Sequence, residues 1–288
     1  MKLSTETYPL DLTSGFEGAV TTLKEIGFDC YDLSIFNLNK EGDPFGGADY
    51  RERAVALRKT AERVGIFCNQ SHGPYPYHKP HNPKWNEEIF GWCVRALEIT
   101  SLVGGKTCIL HPFHDWTAQE NATRIYLPLQ PYCKKYGVRI ALENMWGREN
   151  NTGKAIPSVC GTAQSFLEHL ELLDPEWFVA CLDIGHAEMV GEETSAAQLI
   201  LALGDRLKAL HVHDNDLKND LHIHPYGGQI DWEPIYAALR KVGYGGEFTF
   251  EADSFVHKFP QELRYDATVM LLKIGRYMIE RIEEGQPL

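Results

Sequence analysis

The sequence predicts an α/β chain of eight strand–helix units closed into a (β/α)8 barrel, one domain over residues 1–288, and three observations carry that expectation. Short apolar or β-branched runs alternate with amphipathic stretches about three to four times as long, as parallel strands joined by crossover helices do. Glycine stands where a helix must stop before the next strand, in EIGF, KYGV and KVGYGG. No glycine-rich phosphate loop of the GxGxxG or GxxxxGKS type follows a strand, which places a doubly wound open sheet well behind the barrel.

The units run in order. KLST is the first strand, followed by a helix over 16–26; CYDLSI is the second, with a helix over 50–64. Behind the third strand, IFCNQS, a helix over 86–102 sets Ile89, Phe90, Cys93 and Leu97 at helical spacing. TCIL leads to a helix over 118–136, and VRIALE leads through a long loop to TAQSFLEHLELL, where Thr162 is suited to cap the helix. WFVACLD precedes TSAAQLILAL, LKALHV precedes WEPIYAALRKV with Asp231 as cap, and GEFTFEA precedes a last helix ending near 284. The closing RIEEGQPL reads as a frayed tail, and Cys108 and Cys181 read as filling of the barrel interior.

Composition narrows the function. A formal net charge of −12 opposes tight binding to nucleic acid and favours a small polar substrate. Seven scattered cysteines, odd in number and without CxxC spacing, read as reduced thiols in a cytoplasmic protein. No apolar run has the length of a membrane span or the make-up of a secretory signal, so no membrane association is expected.

In such a barrel chemistry sits at the C-terminal ends of the strands, and six consecutive strands deliver a His, Asp or Glu there. These are His72, His111, Glu143, Asp183 with His186, His211 with His213 and Asp214, and Glu251. Each alone reads as a hydrogen-bonded rim residue. Glu143 and Glu251 follow apolar runs with few basic residues at their depth, and a bound cation is the simplest compensation for them. Two Glu, one Asp and one His from four strands form an oxygen-rich set suited to one Mn²⁺ or Mg²⁺, with Co²⁺ or Zn²⁺ as alternatives. Free of cysteine, such a set leaves coordination positions open to substrate oxygens and points to catalysis.

The segments LENMWG, LDIGHAEM, HVHDND, DLHIHPYGGQIDW and TFEAD, in this order, resemble the sugar phosphate isomerase/epimerase superfamily of xylose isomerase-like TIM barrels over nearly the whole chain. That superfamily includes ketose 3-epimerases, hydroxypyruvate isomerase, inosose dehydratase and, more distantly, endonuclease IV. The resemblance implies a metal-dependent isomerase of carbohydrate metabolism, with one divalent cation held by Glu143, Asp183, His211 and Glu251. It also implies that Glu143 and Glu251 act as base and acid on opposite faces of the sugar, and that His186 binds a substrate oxygen. His72 and His111, with Asp220 and His222 as ligands of an additional metal, match zinc positions of endonuclease IV, which makes a trinuclear zinc phosphodiesterase the alternative, beside an inosose dehydratase-type lyase. Ketose 3-epimerases usually carry an arginine six residues after the metal histidine; Leu217 stands there, beside Lys218, which puts 3-epimerisation specifically in doubt.

His72, His111, Trp116 and Lys218 are therefore expected at the substrate, and Arg148 and Lys218 are the basic residues expected to meet a substrate phosphate or carboxylate. Asp214 is expected to support His211, while His213 and His224 are expected to be ordinary loop residues. Trp116, Trp146, Tyr75, Tyr226 and Trp232 fall in rim loops, where they suit stacking on a sugar or an interface in a homo-oligomer about equally.

Overall fold

A computed structural model describes residues 1–191 and 194–284. Eight parallel strands form the barrel: β1 (Lys2–Glu6), β2 (Cys30–Ser34), β3 (Phe67–His72), β4 (Thr107–Ile109), β5 (Arg139–Glu143), β8 (Phe178–Asp183), β9 (Leu207–His211) and β10 (Glu247–Phe250). Each pairs with its neighbour in that order, β10 lies beside β1, and a parallel bridge between Val212 and Phe250 brings β9 to β10. Around them stand α1 (Asp11–Ile26), α2 (Tyr50–Val64), α3 (Pro83–Leu102), α5 (Leu127–Tyr136), α6 (Ala163–Glu171), α8 (Ala196–Leu203), α9 (Trp232–Lys241) and α11 (Arg264–Glu284). No helix among the described residues is long and apolar enough to cross a membrane.

Strand alternation divides the core. One side chain of each pair packs outward against the helices, and the next turns inward. Ile109, Ala141, Val179, Cys181 and Ala209 form a separate inner cluster, while Cys108 belongs to the large cluster between sheet and helices. Cys181 is thus interior filling as expected, and Cys108 is not, because it lies one residue out of phase with Ile109. All seven cysteines are buried and unpaired.

Several elements depart from the sequence reading. α1 begins at Asp11, but Gly15, at φ 69° and ψ 172°, separates its first turn from the regular helix, which only glycine does without strain. The helix expected over 118–136 is broken into α4 (Ala118–Asn121), a π-helical turn Ala122–Tyr126, and α5. Pro128 and Pro131 carry no N–H and remove two donors of the α ladder, so the turn before them widens. The loop after β5 contains an antiparallel hairpin, β6 (Trp146–Arg148) with β7 (Ala155–Pro157), too short to show a period. Two short helices follow strands closely: α7 (Ile184–Met189) comes directly after β8, and α10 (Asp253–His257) two residues after β10. The expected fraying at the end is absent through residue 284: Arg281 is buried and donates to Glu233 Oε1 at 2.6 Å; residues 285–288 lie outside the described residues.

Candidate active site

The inner phase that places Ala141, Cys181 and Ala209 in the barrel places Glu143, Asp183 and His211, two residues further on, at its upper mouth. Two register shifts set this phase. Tyr31 pairs with Cys68 but Asp32 with Gln70, which leaves Asn69 as the extra residue; Ala180 pairs with Leu207 but Cys181 with Ala209, which leaves out Lys208. Such bulges re-aim the side chains that follow.

The first group is Glu143, Asp183, His211 and Glu251, whose ligand atoms all lie within 4.8 Å of one another. His211 Nδ1 is 3.3 Å from Glu143 Oε2 and 3.1 Å from Glu251 Oε2. Glu143 is also 3.0 Å from His111 Nε2 and 3.7 Å from His72 Nε2, and the two imidazole nitrogens are 2.9 Å apart. Asn144 ties the strands together: it accepts from Asp183 N–H at 2.7 Å and donates to Asp183 O at 2.9 Å. Burial alone would push the Glu143 carboxyl up, but His211 and His111 outweigh it and hold it well below the usual carboxylate range. Glu251 is held low for the same reason, by His211.

A second group, His186, His213, Asp220 and His222, lies beside it. His186 Nδ1 is 2.9 Å from the carbonyl of Asn144, and His222 Nδ1 is 3.0 Å from that of Glu251, so Nδ1–H donates in both rings and their orientation is fixed. Both Nε2 atoms face Asp220, at 3.3 and 3.2 Å. His213, expected to be an ordinary loop residue, is fully buried, lies 3.1 Å from Asp183 Oδ1 and stacks on His222 at 4.1 Å between centroids. It keeps the inward phase of His211 past the end of β9, and Gly185 leaves room for it, since a Cβ there would come within 2.0 Å of the ring. That strand phase was the sequence signal for it.

Asp214 does not support His211. One residue out of phase, it accepts from the N–H groups of Asn215, Tyr226 and Ile230 and from Trp232 Nε1, at 2.8 to 3.3 Å, and so anchors the loop that carries Asp220 and His222. His224 packs on Phe255 away from both groups, as an ordinary loop residue.

A cavity of about 250 Å³ opens over the two groups, with His72, His111, Glu143, His186 and Glu251 in its floor and Tyr75, Phe113, Met145 and Trp146 in its walls. Trp116 and Lys218 are not among its lining residues. Trp116 packs against Phe113 and His78 one layer back, and Lys218 is exposed on the loop. Arg148, also expected near the substrate, donates to Gly153 O and Asn219 Oδ1, lies over the ring of Trp146 and is not among the lining residues. Tyr226 and Trp232 belong to the packing around Asp214.

The residues fit a divalent cation on chemical grounds. Among the described residues, every ion pair made by Glu143, Asp183, Asp220 and Glu251 is with histidine, never with lysine or arginine. Buried atoms of this assembly, Glu143 Oε2, His211 Nδ1 and Asp220 Oδ1, have no hydrogen-bond partner. Unpaired buried acceptors, two in the first group and one in the second, are costly unless a cation neutralises them.

Comparison with known proteins agrees with the barrel. An L-ribulose 3-epimerase of Methylomonas sp. (strain DH-1) is 30% identical over 167 residues, 55% of this chain and 52% of that protein. An uncharacterized protein of Sinorhizobium fredii is 25% identical over 169 residues, 54% and 50% of the two chains. The chain thus spans about half the length of the curated relatives it matches. Among solved structures, a D-psicose 3-epimerase with D-tagatose from Clostridium cellulolyticum H10 superposes with a TM-score of 0.72 at 16% identity, over 97% of this chain and 99% of that one. At that identity the likeness speaks for the fold. The profile of the xylose isomerase-like TIM barrel family matches residues 20–273, and the chain belongs to that family.

Proposed function

We propose that this protein is a divalent-metal-dependent sugar isomerase or epimerase that moves a proton on the carbon next to a carbonyl. The observation that carries this reading is the pairing of Glu143, Asp183 and Glu251 with imidazoles alone at the strand ends. Those residues and His211 would hold the cation, which polarises the substrate carbonyl and makes the neighbouring C–H acidic. Glu143 and Glu251 both lie in the cavity floor and are held ionised in the free protein. One carboxylate takes the proton and becomes the carboxylic acid, which returns it for isomerisation, while epimerisation requires the other glutamate to be protonated first so that it delivers a proton from its own side, β5 or the end of β10. His72, His111 and His186 bind substrate oxygens, and Tyr75 and Trp146 cover the C–H faces of the sugar and exclude water.

The relatives named as L-ribulose and D-psicose 3-epimerases support a sugar as substrate. The cavity lining contains no lysine or arginine, which favours an uncharged sugar over a phosphorylated one. Incubating a panel of ketoses and inososes in deuterated solvent tests the reaction: exchange of one carbon-bound proton, lost on chelation and restored by Mn²⁺, is expected. Absence of exchange with every sugar, metal present, would sink this reading.

A second reading has its own observation. His186, His213, Asp220 and His222 form a nitrogen-rich set that suits zinc, and His72, Glu143 and His211 form a third meeting point with His111 3.0 Å from Glu143, so three cations and phosphodiester cleavage are chemically accommodated. Elemental analysis separates the readings: about one metal per chain supports the isomerase, and about three zincs support the phosphodiesterase.

A further inference from the structure

Below the first group, β2 brings in a buried carboxylate that neither group of ligands uses. Asp32 is 3% exposed, and its Oδ2 lies 3.6 Å from His211 Nε2, the ring nitrogen opposite the one facing Glu143 and Glu251. The same oxygen accepts from Gln70 Nε2 at 2.8 Å. The orientation of Gln70 is itself fixed, because its Oε1 accepts from Asn69 Nδ2 at 3.3 Å. Asn69 in turn donates to Thr249 Oγ1 at 3.0 Å and accepts from Ser4 Oγ at 2.7 Å. Asn69 is the extra residue of the β2–β3 bulge, so the bulge and this chain of polar contacts together aim Asp32 at His211.

We propose that Asp32 is a positioning residue: its carboxylate lies 3.6 Å from His211 Nε2, a buried nitrogen with no hydrogen-bond partner, favours the proton on that nitrogen by its charge, and so keeps Nδ1 bare and turned toward Glu143 and Glu251, an assignment that rests on reading those residues as a cation site. Asp32 has no lysine or arginine partner among the described residues, and its Oδ1 has no partner at all. A carboxylate so deeply buried is tolerated only beside positive charge, and His211 is its one ion-pair partner. An imidazole that ligates a metal gives its other N–H to such an acceptor, which fixes its tautomer and strengthens it as a ligand. Cys181 also adjoins the ring, but burial pushes its thiol up to about 12, so it stays protonated and is a poor acceptor.

Titrating Mn²⁺ into the chelator-stripped full chain, followed by calorimetry, tests this without any substrate; the binding step that Glu251→Gln removes identifies the group. Asp32→Asn is expected to weaken that step about 10- to 100-fold, with the metal-free melting temperature unchanged or raised, whereas Cys181→Ala leaves affinity within about threefold. Long-range ¹H–¹⁵N spectra of the Zn²⁺-loaded wild type are expected to show His211 protonated at Nε2, a readout that needs no variant. Wild-type affinity in Asp32→Asn, or a proton on Nδ1, overturns the assignment. A wild-type chain that takes up no Mn²⁺ overturns instead the cation reading on which it rests.

Discussion

The two groups of ligands at the mouth of the barrel are built differently. Glu143, Asp183 and His211 end β5, β8 and β9, and Glu251 follows β10 by one residue, so the sheet that forms the fold sets their spacing. In the second group, Asp220 and His222 hang on the loop between β9 and α9, held by the four donors to Asp214, and His186 stands on the short helix α7. That loop includes Leu217, His222 and Tyr226 at positive φ, three non-glycine residues in a conformation that tertiary contacts must enforce. The first group is therefore as rigid as the barrel. The second depends on loop contacts, those of Asp214 first, with Asn215 and the Asp214–Ile223 bridge beside them.

Glu143 belongs to the first group and also contacts His72, His111 and His186, so its loss should do most damage. Glu143→Gln is expected to lower turnover by about 10²- to 10⁴-fold and to reduce bound metal at the first group. Rates on the identified sugar, with metal content measured on the same sample, check this. Normal turnover in the variant would remove Glu143 from the chemistry.

Asp214→Ala should separate the two groups. It leaves the buried N–H groups of Asn215 and Ile230, and the indole of Trp232, without their acceptor, at about 1–3 kcal/mol each for fully buried donors. Amide exchange in the loop that carries Asp220 and His222 should speed up while the metal at the first group is retained. Loss of that metal as well would show that the loop and the strand ends form one unit.

This contrast also explains what could be read from the sequence. The eight strands, their glycine stops and the six strand-end residues were legible because period-two alternation and helix length are local properties. His213 was misread because its role depends on keeping the strand phase beyond β9, and Asp214 was misread because the phase of a loop residue is set by distant partners, Tyr226, Ile230 and Trp232. Trp116 and Lys218 were placed by loop composition, which does not give direction. The β6–β7 hairpin and α7 were invisible, since three to six residues carry no usable period.

Titration of the metal-free chain discharges the imidazoles and the carboxyls at opposite ends of the pH scale. Burial pushes His186 down, but Asp183, Asp220 and Glu143 overcome it and raise it from 6.5 to about 10. A raised folded pKa means that this stability is fully present below about pH 6.5 and is lost as pH rises toward 10. The depressed carboxyls of Glu143 and Glu251 act oppositely: their stability is present above about pH 4.5 and is lost as pH falls. At about 1.4 kcal/mol per pKa unit as an upper limit, the melting temperature of the metal-free wild type should fall by several degrees between neutral and alkaline pH. His186→Gln should flatten that alkaline slope and leave the acid limb intact. Identical alkaline slopes in the two proteins would mean that His186 does not carry it and that His211 and His222, which carboxylates also hold high, do.

The smallest effect concerns the hairpin. Trp146 Nε1 donates to Asp220 Oδ2 at 3.4 Å, and the same oxygen faces His186 Nε2 at 3.3 Å, so the indole restrains the aspartate that the imidazoles of His186 and His222 share. Trp146→Phe keeps an aromatic wall on the cavity and removes only this donor. A long hydrogen bond to a partly buried carboxylate is worth about 0.5–1.5 kcal/mol, which corresponds to about 2- to 10-fold in the metal affinity of the second group. Affinity at the first group should not change, because no atom of Trp146 contacts Glu143, Asp183, His211 or Glu251 by hydrogen bond. Competitive titration with Zn²⁺ resolves a change of that size. A larger loss at the first group than at the second would reverse the order of rigidity, making the strand ends, rather than the loop, the part that depends on its cover.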